Sequence, residues 1–169
     1  FDELKIRLGQ AVYEHEGVKA VRYPRGGDPE KPDDFEITGK KFDIYGDKDA
    51  DILIVTYGRI FSEACKAREQ LLKLGKKVCI LKLNIIKPID KKAINFALGF
   101  KNIFFFEEGM LSGGIGETFG YQLGIKDYKD KYRITAIKDK FVPQSKVQSA
   151  LRSLGLDAKG IEKVIMSDS

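Results

Sequence analysis

The strongest constraint on the fold is the run Asp51-Ile52-Leu53-Ile54-Val55-Thr56-Tyr57, in which nearly every residue is apolar. A strand with one face in water alternates apolar and polar residues, whereas a strand covered on both faces is apolar almost throughout. The run therefore predicts a central strand with helices packed on both sides. Similar runs at 77–83 and 101–107 predict two more strands of the same sheet.

Segments with helical spacing separate these runs. The apolar residues between Ile60 and Leu72 fall on one helix face, and Gly75 ends that helix. Further helices are predicted at 90–98, where Asp90 is the N-cap, and at 113–123, 145–154 and 159–165, with strands at 42–45 and 132–137. Strands that alternate with helices in this way predict an α/β fold, with a mostly parallel sheet and helices on both faces.

The first 41 residues have a different organisation. Apolar residues at helical spacing predict a helix near the start, and residues 18–23 are predicted to form a strand. The stretch from Gly27 to Lys41 is polar and contains two prolines, which is typical of a linker. We therefore expect residues 1–27 to end an upstream domain, 28–41 to be a linker, and 42–169 to form the main domain. Because the chain does not start with Met, it is interpreted as a piece of a longer polypeptide.

One short motif, Val21-Arg22-Tyr23-Pro24-Arg25-Gly26-Gly27, lies where the predicted strand meets the linker. Pro24 fixes the direction of the chain, and the glycines permit a turn. Arg25 would then present its planar set of N–H donors at the end of a strand, which suits a phosphate or a carboxylate. From residue types alone, an ordinary surface arginine is the more common explanation.

Composition argues against several functions. The 30 basic residues are nearly matched by 25 acidic ones, and no long basic block occurs, so nucleic-acid binding is not favoured. No apolar run is long enough to span a membrane. His15 is the only histidine, and Cys65 and Cys79 form no C-x-x-C pair, so neither a metal site nor a histidine-based triad can be assembled. The two cysteines are expected to be buried free thiols.

The segment Gly114-x-Gly116-x-x-x-Gly120 resembles a dinucleotide-binding fingerprint. The third glycine is displaced by one position, and the loop before the helix is too long. Close packing of a helix on the sheet explains these glycines better. An independent nucleotide- or protein-binding module remains the alternative from a different functional class.

Six segments, taken in order, resemble a known family. They are Ala20-Val21-Arg22-Tyr23-Pro24-Arg25-Gly26, Tyr57-Gly58, Lys87-Pro88-Ile89-Asp90, Glu107-Glu108, Gly113-Gly114-Ile115-Gly116 and Leu154-Gly155-Leu156-Asp157. In this order and spacing they resemble the carboxy-terminal part of the 1-deoxy-D-xylulose-5-phosphate synthase family, which are thiamine-diphosphate enzymes of the transketolase superfamily. Asn84 departs from the pattern, since the family often has Arg there. A transketolase, or the β subunit of a 2-oxo acid dehydrogenase, is the alternative within the superfamily.

The resemblance implies a transferase that decarboxylates pyruvate and joins the two-carbon unit to glyceraldehyde 3-phosphate. It also implies a cytoplasmic homodimer that binds thiamine diphosphate and magnesium through upstream domains absent from this chain. This chain would then bind no cofactor or metal, would be inactive alone, and would supply structure and dimer surface. By resemblance, Arg25 matches an arginine that binds the phosphate of the aldehyde substrate.

Overall fold

The computed structural model describes residues 1–24 and 26–168, and the elements formed by these residues are six helices and five strands. In chain order they are α1 (Asp2–Tyr13), β1 (Phe42–Gly46), β2 (Ile52–Tyr57), α2 (Ile60–Lys73), β3 (Val78–Leu83), α3 (Lys91–Ala97), β4 (Asn102–Met110), α4 (Ile115–Ile125), β5 (Lys131–Ile137), α5 (Val147–Leu154) and α6 (Ala158–Ser167). Every element predicted between residues 42 and 165 is present, with ends shifted by three residues or fewer. None of the described helices is long and apolar enough to cross a membrane.

The five strands form one sheet in the order β1-β3-β2-β4-β5. β1 lies at one edge and runs antiparallel to β3, whereas the other neighbouring pairs are parallel. Ile54 in β2 lies opposite Ile80 in β3 and Phe104 in β4, at the centre of the sheet. The predicted fold class is confirmed.

Both faces of the sheet are covered, as the apolar runs predict. On one face the side chains that include Ile54 and Phe104 pack against α2, α5 and α6. On the other face Leu53 and Phe105 pack with residues of α3 and α4. Alternate residues of β2 and β4 therefore belong to two different core layers, which explains why neither strand has a polar face.

Carboxylates of the chain satisfy the first N–H groups of two helices. Asp90 accepts a hydrogen bond from the backbone N–H of Lys92 at 2.8 Å, which confirms the predicted N-cap of α3. At the start of α6, the buried carboxylate of Glu63 accepts from the N–H of Ala158 at 2.9 Å. Because Glu63 belongs to α2, this bond ties α6 to the middle of the main domain.

The strand predicted at residues 18–23 is not formed. These residues belong to neither a helix nor a strand, and all but Val21 are exposed. A strand requires a neighbour that takes up its N–H and C=O groups, and none of the described strands pairs with this segment. The apolar pattern predicts a strand, but the neighbouring strand that it would need is not among the described strands.

The segment predicted to be a linker packs partly on the main domain. Phe35 is buried, and its ring centroid lies 4.5 Å from that of Phe61 in α2. Residues 28–41 therefore contribute to the core although they contain no helix or strand. The domain boundaries at residues 27 and 41 remain predictions.

The two cysteines are buried free thiols, as predicted. Burial raises the pKa of Cys65 to about 12 and that of Cys79 to about 11. Since the thiolate is the reactive form, we expect an aromatic disulfide reagent at pH 8 to label the folded chain at least about 100-fold more slowly than the chain in urea. Equal labelling rates in the two states would contradict the buried positions.

Candidate functional site

The candidate site lies at the carboxyl ends of β2 and β4. From β2 the chain continues through α2 to β3 on one side, and from β4 it continues through α4 to β5 on the other side. In open parallel sheets, the crevice at such a reversal of strand order is the usual position of a ligand. Tyr57 ends β2 here, and Glu107 lies in the last part of β4.

The carboxylate of Glu107 lies at this end of the sheet. Glu107 is fully buried, and its Oε2 accepts a hydrogen bond from the Tyr57 hydroxyl at 2.8 Å. The backbone N–H of Ile115 donates to the same oxygen at 3.1 Å, and the N–H of Gly116 donates to Oε1 at 2.9 Å. The positive end of α4 is therefore neutralised by a carboxylate of the chain itself.

The hydroxyl of Tyr57 is held as a donor. Burial, followed by the hydrogen bond to Glu107, raises the pKa of Tyr57 well above its ordinary value. The phenol is therefore protonated at neutral pH and can stabilise the carboxylate, but it cannot serve as a base. Nothing in the pair Tyr57–Glu107 supplies a nucleophile with an adjacent general base.

The glycines around α4 allow the backbone to approach this carboxylate and the sheet. A Cβ added to Gly114 would lie 2.4 Å from the backbone oxygen of Met110 and 2.5 Å from Glu107 Oε1. A Cβ on Gly116 would lie 2.9 Å from the side chain of Ile134, and one on Gly120 would lie 2.5 Å from the ring of Tyr132. The packing explanation for the three glycines is therefore supported.

The same geometry opposes the nucleotide-binding hypothesis. A phosphate at the start of α4 would need the N–H groups of Ile115 and Gly116, which already donate to Glu107. The N–H of Gly113 donates to Glu117 Oε2 at 2.7 Å. A nucleotide phosphate would have to displace both carboxylates.

Glu108 points away from its neighbour, as predicted for adjacent residues of a strand. Its side chain is 39% exposed, and its Oε2 lies 3.2 Å from Nε of Arg59, the residue that precedes α2. Partial loss of hydration raises the pKa of the Glu108 carboxyl group, and the charge of Arg59 opposes this effect.

Arg25, the one substrate-binding residue predicted from the sequence, lies outside the described residues. The preceding residues Arg22, Tyr23 and Pro24 are exposed. Within residues 1–24 and 26–168, no group of three or more His, Cys, Asp or Glu side chains is arranged to hold a metal ion.

Two features of the described residues were not predicted. The bond between Tyr57 and Glu107 joins residues 50 positions apart, and the ion pair between Lys82 and Glu3 joins residues 79 positions apart. A local signal existed for each: Glu107 directly follows a buried strand and precedes a glycine-rich helix start, and Lys82 is the only charged residue in β3. Neither signal identifies the partner.

The described fold matches a known protein family. Residues 43–161 match the family described as transketolase, C-terminal domain. Among solved structures, a chain titled "Split gene transketolase, inactive beta4 tetramer" superposes with a TM-score of 0.70 at 23% identity, over 85% of this chain and 47% of that chain.

Curated relatives extend the similarity beyond the matched domain. The 1-deoxy-D-xylulose-5-phosphate synthase of Clostridium acetobutylicum is 32% identical over 174 residues, and that of Clostridium perfringens is 36% identical over 173 residues. Each alignment covers 98% of this chain but only 27% of the relative. The chain therefore spans about a quarter of the length of these relatives.

Proposed function

The chain belongs to the transketolase C-terminal domain family, and we propose that it is the carboxy-terminal part of a 1-deoxy-D-xylulose-5-phosphate synthase. In this proposal the complete cytoplasmic homodimer decarboxylates pyruvate and condenses the two-carbon unit with glyceraldehyde 3-phosphate. The present chain supplies a supporting domain and part of the dimer surface, and it is inactive alone. Arg25 binds the phosphate of the aldehyde.

The observation that carries this proposal is the extent of the alignments. The family match begins at residue 43, whereas the synthases align over 98% of the chain. The similarity to the synthases thus extends into the first 42 residues, where the segment Arg22-Tyr23-Pro24-Arg25-Gly26 lies. This favours a synthase over a transketolase or a 2-oxo acid dehydrogenase β subunit.

Two observations on the described residues support a cofactor site elsewhere in the enzyme. The N–H donors at the start of α4 are bonded to Glu107, and the described side chains form no metal-binding cluster. We therefore assign the cofactor and the metal to other parts of the enzyme.

The test is to measure the kinetics of the complete synthase that carries this chain. We expect Arg25→Ala to raise the KM for glyceraldehyde 3-phosphate about 10- to 100-fold, because a hydrogen bond between charged groups contributes about 1.5–3 kcal/mol. The rate of pyruvate decarboxylation without the aldehyde should not change.

Arg22→Ala is the matched control, since it removes the same charge three residues earlier. We expect it to leave the KM for the aldehyde within about threefold of wild type, because Arg22 is exposed and an exposed charge has a small effect. An unchanged KM in Arg25→Ala would remove the proposed role, and equal increases in both variants would show a general charge effect instead of a defined contact. Turnover of pyruvate by the purified chain alone would contradict its assignment as a supporting domain.

A further inference from the structure

α1 lies against the rest of the chain without joining the core. None of its residues is buried. Leu4 and Ile6 are half-buried. Two polar side chains bond to the backbone of the rest of the chain: Arg7 Nη2 donates to the oxygen of Thr38 at 2.8 Å, and Gln10 Nε2 donates to that of Gly39 at 2.8 Å. Most helices in proteins are held by a fully buried apolar face. Because α1 has no buried residue, we expect its polar side chains to contribute to what holds it.

α1 contacts a buried charged group, Lys82 of β3, whose side chain is 5% exposed. Its Nζ lies 2.5 Å from Glu3 Oε1 and 5.7 Å from the centre of the Phe61 ring. A buried ammonium group is costly unless an anion and further hydrogen-bond partners compensate it. Among the described residues, Glu3 is the carboxylate that lies within ion-pairing distance of Lys82.

The ion pair belongs to a closed ring of polar contacts. Lys82 also donates to Asn84 Oδ1, and Asn84 Nδ2 donates to Asp43 Oδ2 at 2.7 Å. Asp43 Oδ1 accepts from the Thr38 hydroxyl at 2.5 Å. Arg7 closes the ring, since it donates to the backbone of Thr38 and its Nε lies 3.9 Å from Glu3 Oε1. We call these six residues the Lys82 ring: Glu3, Arg7, Thr38, Asp43, Lys82 and Asn84.

The Lys82 ring lies near Asp28, at the end of the segment that follows α1. A cleft of about 130 Å³ is lined by Glu3 and Lys82, and also by Asp28, which comes directly after Gly26 and Gly27. Gly58, at the turn between β2 and α2, lines the same cleft. The chain thus leaves the ring with α1 and returns to it at Asp28.

We propose that the Lys82 ring is the lock that docks α1 on the main domain, and that Lys82 is thereby a positioning residue for the segment between α1 and Asp28. The docking part stands on the contacts above. The positioning part rests on the proposed function, since that segment contains Arg25, the residue proposed to bind the substrate phosphate.

The docking part is tested by hydrogen exchange of the α1 amides in this chain. We expect Lys82→Met and Glu3→Gln each to reduce protection at least about tenfold, since each breaks a charged hydrogen bond. The loss of protection in the double variant should be no greater than the smaller of the two losses in the single variants, because both substitutions remove the same interaction. Unprotected α1 amides in the wild-type chain, unchanged protection in both single variants, or additive losses would each overturn the lock.

Lys77→Met is the control, because Lys77 directly precedes the same strand and pairs with Asp47 at 3.2 Å, but its side chain is 70% exposed. It should leave the protection of α1 unchanged. A loss equal to that of Lys82→Met would show that any lysine near β3 has this effect and would overturn the lock.

The positioning part is tested in the complete synthase. We expect Lys82→Met to raise the KM for glyceraldehyde 3-phosphate about five- to tenfold with an unchanged rate of pyruvate decarboxylation, because a displaced binding segment weakens capture of the aldehyde alone. Reduced protection of α1 with an unchanged KM would overturn the positioning role and leave the lock intact. A complete protein that makes no deoxyxylulose phosphate would refute the proposed function and with it the positioning role, while the exchange measurement would still decide the lock.

Discussion

Glu107→Ala is expected to lower the free energy of unfolding of the chain by about 4 kcal/mol, measured by urea denaturation. The substitution removes the acceptor of three hydrogen bonds, from the Tyr57 hydroxyl and from the N–H groups of Ile115 and Gly116. Gly116 is buried and Ile115 is half-buried, so their N–H groups would face a cavity instead of water. The first turn of α4 and the end of β2 would lose their common partner at once.

Glu108→Ala provides the matched control one residue away. Glu108 is the more exposed partner of its ion pair with Arg59, since its side chain is 39% exposed and that of Arg59 is 16% exposed. Its loss should therefore cost no more than about 1 kcal/mol. Similar losses in the free energy of unfolding for Glu107→Ala and Glu108→Ala would contradict this explanation. They would show that removal of any acidic residue at this end of the sheet is destabilising, whether or not its carboxylate is buried.

The fold was predictable because its signals are local. The apolar run in β2 shows burial on both faces, Asp90 marks the start of α3, and Gly75 marks the end of α2. Each of these signals depends on residues within one element. The parallel direction of β2, β3, β4 and β5 follows from the alternation of strands and helices, since parallel neighbours need a crossover between them. The order of the strands was not predicted.

The candidate site was less predictable because its contacts join distant positions. In the sequence, Glu107 is one of two adjacent acidic residues at the end of a strand. Only the fold places Tyr57 and the start of α4 within hydrogen-bond distance of it. Likewise, Lys82 interrupts the apolar pattern of β3, and the sequence does not show that Glu3 of α1 is its partner. The burial of a charged side chain and the identity of its partner determine its role, and both depend on the fold and not on the residue type.

The absent strand at residues 18–23 illustrates the opposite failure. Its residues have the composition of a strand, but a strand also needs a neighbour, and none of the described strands lies beside it. If the chain is part of a synthase as proposed, that neighbour belongs to an upstream domain. A local pattern therefore predicts the capacity to form a strand, whereas the presence of the partner decides the outcome.

Gly114→Ala is expected to destabilise the chain by about 3 kcal/mol, because the added Cβ cannot be accommodated without a shift of the backbone. It would lie 2.4 Å from the backbone oxygen of Met110 and 2.5 Å from Glu107 Oε1. Movement of the Glu107 side chain relieves only the second contact, and that movement breaks the bonds to Ile115 and Gly116. Urea denaturation of the purified variant measures the loss.

Gly124→Ala is the control within the same helix. Gly124 is exposed in α4, and no atom lies within 4 Å of the position of an added Cβ. Alanine should therefore stabilise the chain by about 0.5–1 kcal/mol, because glycine is a poor helix former. Opposite signs at positions 114 and 124 would show that close approach to Glu107 and β4 requires glycine at the start of α4. A neutral Gly114→Ala would instead mean that α4 can move away from β4 at little cost, and the buried carboxylate would then not determine where this helix begins.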